Sequence, residues 1–101
     1  PDILEIGNVS LNLSNYTLST PTGAVVLTKH ELRMMELLVA NKNVALSTET
    51  MFEKIWGYDS DTEIGIVWVY ISHMRRHLEN LSANIEIKAR RGIGYILEEK
   101  E

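Results

Sequence analysis

The first 27 residues alternate between apolar and polar positions with a period of two. Val9, Leu11 and Leu13 are separated by polar side chains, which is typical of a half-buried strand. Turn-forming sequences such as Gly7-Asn8 interrupt this alternation. We therefore expect four short strands joined by tight turns as an antiparallel meander, at residues 3–6, 9–13, 16–18 and 24–27.

The apolar period becomes helical after Thr28. Thr28 and Glu31 have the spacing of a capping box, in which a hydroxyl cap and a glutamate three residues later bond the start of a helix. Apolar side chains then recur at helical spacing as far as about Asn41. Ser47 is a plausible cap for a second helix, and Gly57 a natural stop for it.

A third helix is expected from about Glu63 to about Asn80, residues 63–80. One face is an apolar stripe with spacings of 4, 3, 4 and 3, which predicts burial: Val67, Ile71, Met74, Leu78 and Leu81. The opposite face carries small, apolar and basic side chains: Ile66, Val69, Ser72, His73 and Arg76. Tyr70 and Arg75 lie on its two flanks, and no acidic residue occurs between Glu63 and Glu79.

Two further strands are expected to form a hairpin over residues 85–97. Alternation from Ile85 to Ala89 indicates the outgoing strand, and Tyr95-Ile96-Leu97 the return strand. The sequence Arg90-Arg91-Gly92-Ile93-Gly94 between them predicts a narrow basic turn. The order of elements is therefore strands, three helices and a hairpin, which is an α+β fold.

Charge is distributed unevenly along the chain. The 101 residues carry a net charge of −4, which at first disfavours a general polyanion binder. Residues 65–95, however, hold five basic and two acidic side chains, a net of +3. This basic segment coincides with the third helix and the hairpin, so these two elements are the candidates for an anionic partner.

Several functional classes are disfavoured by composition. The chain has no cysteine, which excludes disulfide scaffolds and thiolate zinc sites. We find no signal peptide or apolar run long enough to span a bilayer, so we interpret the four Asn-x-Ser/Thr sequences as turn composition rather than glycosylation sites. His73 and His77 have metal-binding spacing but lack an evident third ligand, and no catalytic constellation stands out. We therefore expect no metal, no cofactor and no enzyme activity.

The exposed face of the third helix has side chains suited to the DNA major groove. Arginine pairs with guanine, serine with several base edges, and apolar groups with thymine methyls. The alternatives are a solvated face that lacks acids, or a face buried on a partner protein. The basic hairpin favours DNA, because a narrow basic turn can enter a minor groove or bind phosphates.

Four segments, in this order and spacing, resemble the OmpR/PhoB-type winged-helix effector domain of two-component response regulators. They are Leu27-Thr28-Lys29-His30-Glu31-Leu32, Met51-Phe52-Glu53-Lys54-Ile55-Trp56-Gly57-Tyr58, the third-helix pattern from Val67 to Leu78, and Arg91-Gly92-Ile93-Gly94-Tyr95. The resemblance implies a winged helix-turn-helix with a four-stranded antiparallel N-terminal sheet, three helices and a hairpin wing.

The resemblance also implies site residues. In that family the third helix reads the major groove and the wing reaches the adjacent minor groove. The residues carried over for DNA contact are Val69, Tyr70, Ser72, His73, Arg75 and Arg76 on the helix, Arg91 in the wing and Trp56 near the phosphates. Arg90 partly compensates for phosphate donors that this wing lacks.

Partners and location follow from the same resemblance. Double-stranded DNA is the implied ligand, with a possible homodimer on it. The loop 57–63, including Tyr58, Asp59, Ser60 and Asp61, would contact RNA polymerase. A receiver domain would normally precede Pro1 and link the protein to a sensor histidine kinase. The implied location is the bacterial cytoplasm, with no membrane partner.

The sequence departs from the family pattern at the start of the third helix. Gly65 and Ile66 replace a common Arg-Thr pair, and Trp68 replaces a usual Asp or Asn. Sequence preference should therefore differ from that of familiar members. A second hypothesis uses the same exposed residues, Ile66, Trp68, Val69 and Tyr70, as a protein-docking patch.

Overall fold

The structure, a computed structural model, describes residues 2–57 and 60–101. In these described ranges, nine elements follow one another in the expected order. They are β1 (Ile3–Ile6), β2 (Val9–Asn12), β3 (Thr17–Thr20), β4 (Gly23–Val26), α1 (Lys29–Ala40), α2 (Thr48–Ile55), α3 (Ile66–Asn80), β5 (Ile85–Arg90) and β6 (Gly94–Glu99). The predicted α+β winged-helix architecture is confirmed.

The four N-terminal strands form one antiparallel sheet in the order β1-β2-β3-β4. Leu11 lies opposite Leu4 on one side and Leu18 on the other. Leu11 and Leu18 are buried, as the period-two alternation predicts. The third strand begins one residue later than expected, because Tyr16 has a positive φ of 62° and belongs to the turn.

The fourth strand is displaced by one residue from the expected 24–27. It pairs from Gly23 to Val26. Leu27 lies after the last paired residue and is buried in the core directly before the cap of α1, although its amide still donates to the Tyr16 carbonyl at 2.7 Å. The transition from sheet to helix therefore occurs within two residues.

The caps of α1 and α2 form as predicted. Thr28 accepts a hydrogen bond from the Glu31 amide, and the Glu31 carboxylate accepts one from the Thr28 amide, which completes the capping box. Ser47 accepts a bond from the Thr50 amide at the start of α2. These bonds satisfy amides that the helices cannot pair internally.

The third helix starts at Ile66, three residues after the expected Glu63. Residues 63–65 form a turn in which the Ile66 amide donates to the Glu63 carbonyl and the Trp68 amide to the Gly65 carbonyl. Gly65 occupies the cap position and provides no side-chain cap. Regular α-helix therefore begins after the glycine, which is a poor helix former.

The hairpin is longer than expected. Arg90 pairs with Gly94, so both belong to the ladder rather than the turn, and β6 continues to Glu99. Leu46, before α2, forms a two-bond bridge with Tyr95, with N···O distances of 2.8 and 2.9 Å. The hairpin is thus joined to the start of α2 as well as to α3.

One core joins the sheet, the helices and the hairpin. It includes the fully buried side chains of Leu18, Met35, Met74 and Leu97. Hydrogen bonds join the β1–β2 turn to the start of β5 at the edge of this core. The Asn8 amide donates to the Asn84 side chain and the Asn84 amide donates to the Asn8 side chain, both at 2.9 Å. Within the described ranges, no helix is long and apolar enough to cross a membrane.

Candidate nucleic-acid interface

The outward face of α3 carries three of the predicted DNA-contacting residues. Its inward stripe, including Val67 and Ile71, is buried in the core. Val69, Ser72 and Arg76 are exposed on the other side. Within the described part of the chain, the side chains of Ser72 and Arg76 have no hydrogen-bond or ion-pair partner. Both are therefore available to an external ligand.

Arg75 has a different position from Arg76. Its Nε donates a hydrogen bond of 3.0 Å to the Ile87 carbonyl of β5. Its guanidinium lies 5.7 Å from the centre of the Tyr95 ring on β6, within the range of a cation–π contact. Arg75 therefore joins α3 to the hairpin.

Trp56 and Tyr70 belong to an aromatic cluster beside the exposed face. The Trp56 ring stacks on His30 at 5.3 Å and meets Tyr70 edge-on at 5.1 Å. Phe52 and His73 extend the cluster. The Phe52 ring centre lies 5.9 Å from that of Trp56, and the His73 ring centre lies 5.4 Å from that of Tyr70. Trp56 and Tyr70 are half-buried, so each presents an edge rather than a whole ring to a ligand.

Glu31 is a buried carboxylate against two histidines of α3. Its Oε2 lies 3.2 Å from His77 Nε2 and 3.8 Å from His73 Nδ1. Burial raises the pKa of Glu31, but hydrogen bonds from the Thr28 backbone and from His77 outweigh it and hold the pKa below its ordinary value. The carboxylate that completes the cap of α1 therefore also contacts α3.

The basic hairpin is partly neutralised within the protein. Glu98 pairs with Lys88 at 3.4 Å and with Arg90 at 3.3 Å. Because both basic side chains are well exposed, these ion pairs are weak and readily exchanged for another anion. Arg91 lies exposed in the turn, and among the described residues it has no ion-pair partner.

Gly94 allows the hairpin to lie close to α2. A Cβ atom on Gly94 would overlap the backbone of Leu46 and Ser47, which form the bridge described above. Gly92, in the turn, has a positive φ of 77° and open space around it. The two glycines thus have different roles: Gly94 permits close packing and Gly92 permits the turn.

The predicted polymerase loop is described only in part. Tyr58 and Asp59 lie outside the described residues. Ser60 is half-buried, and its hydroxyl accepts a bond from the Thr62 amide, whereas Asp61 is exposed. Among the described residues, no group of three potential ligands could hold a metal ion, and His73 and His77 instead contact Glu31.

The structure therefore separates the predicted residues into groups with different environments. Val69, Ser72 and Arg76 face outward, Arg75 contacts the hairpin, and Tyr70 lies in the aromatic cluster. Sequence reasoning missed the Glu31 contact with the histidines, for which no local pattern exists. It also gave no DNA role to Trp68, whose side chain is 65% exposed on α3.

The sequence matches a known family over most of its length. Residues 22–97 fit the family described as "Transcriptional regulatory protein, C terminal". The chain belongs to this family. The resemblance to OmpR/PhoB-type effector domains is thereby confirmed.

A relative by sequence agrees with this assignment. The transcriptional regulatory protein CiaR of Streptococcus pneumoniae is 33% identical over 96 residues, which are 95% of this chain and 43% of CiaR. The chain thus spans less than half of that relative.

Two solved structures share the fold. One is the C-terminal domain of the nisin resistance regulator NsrR, a lantibiotic response regulator, with a TM-score of 0.80 and 24% identity over 97% of this chain and 99% of that one. The other is the AdeR DNA-binding domain in complex with an intercistronic region, with a TM-score of 0.80 and 17% identity over 94% and 98% of the two chains.

Proposed function

We propose that this domain binds double-stranded DNA in a sequence-specific manner and is the output domain of a response regulator. In this proposal α3 enters the major groove and the β5–β6 hairpin reaches the adjacent minor groove. The observation that carries the proposal is the exposed face of α3 from Ile66 to Arg76, which has no acidic side chain and on which Ser72 and Arg76 have no partner among the described residues. Family membership supports it, as does the DNA complex of AdeR.

The contacts divide into two kinds. Arg76 presents a fork of donors that matches guanine, and Val69 an apolar surface that matches a thymine methyl group. Arg91 and the exchangeable Arg90 are suited to phosphates or the minor groove, and the amphipathic edge of Trp56 to the backbone. We assign base readout to the helix and positioning to the hairpin.

Selection from a random duplex pool followed by a salt series tests the proposal. The chain should enrich a defined sequence, and its affinity should fall as salt rises, with a log–log slope of about −0.9 for each phosphate neutralised. Fluorescence anisotropy on the selected site measures the slope. Absence of enrichment at low salt, or an affinity independent of salt, would contradict DNA binding.

The remaining partners are part of the same proposal. We infer that the loop 57–63 contacts RNA polymerase and that a receiver domain, phosphorylated by a sensor histidine kinase, controls the domain in the bacterial cytoplasm. Two copies would bind adjacent half-sites. Asp61→Ala should then reduce transcription in a reconstituted assay while leaving DNA affinity unchanged, and unchanged transcription would contradict the polymerase contact.

A further inference from the structure

The two tryptophans of this domain have contrasting environments. Trp56 is packed among His30, Phe52 and Tyr70. Trp68 is 65% exposed, and no aromatic ring of the described residues stacks on it. An exposed tryptophan next to exposed Val69, on the helix proposed to meet DNA, is therefore a candidate contact residue.

Trp68 lies on the hairpin side of the reading helix. It precedes Arg75 by seven residues, about two helical turns, and therefore shares its side of α3. Arg75 is bonded to β5, so this side faces the hairpin. Trp68 thus lies next to the exposed face, towards the wing and at the N-terminal end of the helix. In helix-turn-helix proteins, the N-terminal residues of the recognition helix contact the base edges.

Apolar residues lie next to Trp68 in the chain, and no acidic residue occurs between Glu63 and Glu79. Val69 is 46% exposed, and Ile64, before the helix, is 42% exposed. Among the exposed side chains of α3, Val69 has no hydrogen-bonding group and Trp68 has only its indole N–H, whereas Ser72 and Arg76 are polar. The exposed face of α3 therefore has an apolar N-terminal half and a donor-rich C-terminal half. The net positive charge of residues 65–95 is complementary to DNA rather than to an average protein surface.

Building on the proposed function, we propose that Trp68, together with Val69, reads thymine through its C5-methyl group. The major-groove edge of thymine has one methyl group, which apolar side chains recognise, and no other DNA base has it. The target site would therefore have thymine beneath the N-terminal half of α3. Arg76 lies seven residues after Val69, or about 10 Å at 1.5 Å per residue, so guanine would follow about three base pairs away.

Replacing thymine by deoxyuridine in the selected site tests this inference, because the exchange deletes the methyl group and leaves the hydrogen-bonding edge intact. For the unmodified chain, each replaced thymine that Trp68 or Val69 contacts should weaken binding about fourfold. Trp68→Ala should bind the thymine site more weakly and should no longer respond to the replacement at its own thymine. Trp68→Phe should restore part of the methyl response.

Val26→Ala is the matched control. Val26 is 72% exposed on β4 of the N-terminal sheet, so its substitution also removes an exposed apolar group. It should keep the affinity and the methyl response of the unmodified chain. Because Trp68 is mostly exposed, Trp68→Ala should also keep the unfolding midpoint, which circular dichroism measures.

Several outcomes would overturn the inference. If the chain bound the selected site and no deoxyuridine replacement weakened binding, the thymine inference would be wrong. The proposed DNA-binding function would be unaffected. A Trp68→Ala variant with the full methyl response would assign the reading to another residue. If Trp68→Ala abolished self-association in sedimentation and left DNA affinity unchanged, the patch would be a protein contact. If the unmodified chain bound no duplex, the proposed function and this inference would both fail.

Discussion

At the residue scale, Glu31 is the side chain with the most demanding environment. Its carboxylate accepts a bond from the Thr28 amide at 2.9 Å and contacts His77 at 3.2 Å while being buried. The same group therefore caps α1 and contacts α3. A buried carboxylate with these partners stabilises the fold as long as it is charged.

Protonation of Glu31 should lower the free energy of unfolding at acid pH. Its pKa is lowered in the folded state, so its contribution is fully present above the unfolded value of about 4.5 and is lost as pH falls through the lower folded value. Glu31→Gln should cost about 1–3 kcal/mol at neutral pH and flatten this acid loss. Urea unfolding from pH 3 to 7 measures both effects.

Glu36→Gln is the control for Glu31, since Glu36 is an exposed carboxylate on the same helix. It should leave both the stability and its acid dependence nearly unchanged. Equal pH profiles for Glu31→Gln and the unmodified protein would show that another carboxylate dominates the acid response.

Arg76 should determine specificity at one base pair. Its guanidinium is exposed on α3, and Arg76→Ala should cost about 1–3 kcal/mol on the selected site and relax the preference at that position. Competition between the site and single-base variants measures the change. Arg33→Ala, an exposed arginine of α1, should leave the preference unchanged; an unaltered preference in Arg76→Ala would place guanine readout elsewhere.

At the element scale, polar contacts attach the hairpin to the helices and their connections, and one of them is a bond from the Asn43 amide to the Leu97 carbonyl. The Leu46–Tyr95 bridge joins it to the start of α2, and Arg75 joins it to α3. The bridge depends on Gly94, because a side chain there would enter the Leu46 backbone. The hairpin is thus held against the start of α2 and against α3.

Gly94→Ala should therefore destabilise the protein by about 2 kcal/mol or more, since the bridge must open to relieve the overlap. Gly65→Ala is the contrasting substitution, because Gly65 has a helical backbone and open space around it. It should be neutral or stabilise by up to about 1 kcal/mol. Thermal unfolding compares the two, and equal midpoints would contradict the close approach at Gly94.

Elements were predictable from sequence where the signal is local. The Thr28–Glu31 capping box and the apolar stripe of α3 fix those helices through neighbours within four residues. The start of α3 was predicted wrongly at Glu63. The spacing of apolar residues contains no information about capping, and Gly65 provides no side chain to cap the first turn. The contact of Arg75 with Ile87 joins two elements by tertiary packing, which no periodicity encodes.

At the scale of the whole molecule, charge asymmetry determines how DNA would be approached. The chain is acidic overall, with a net charge of −4, while residues 65–95 carry +3. The acidic side chains elsewhere repel DNA phosphates. We therefore expect the domain to bind non-specific DNA weakly and to approach DNA with its basic segment first. Sequence counting identified the basic segment, but the neutralisation of Lys88 and Arg90 by Glu98 required the structure.

Arg91 should account for a measurable part of the salt dependence. Arg91→Ala should weaken binding to all sequences alike and reduce the log–log salt slope by about 1. Anisotropy on specific and random duplexes from low to moderate salt measures this. Lys42→Ala, an exposed lysine after α1, should keep the slope; an unchanged slope in Arg91→Ala would remove the turn from phosphate contact.

The contacts of Arg75 with Ile87 and Tyr95 have a consequence for the geometry of the target. Because α3 and the hairpin are held together, the distance between the two proposed DNA contacts would be constant. The two elements could not adjust to DNA independently of each other. Duplexes with the right bases but an unsuited helical twist or minor-groove width would have to be deformed to fit. Recognition would then depend on the mechanics of the DNA between the two contacts as well as on its sequence.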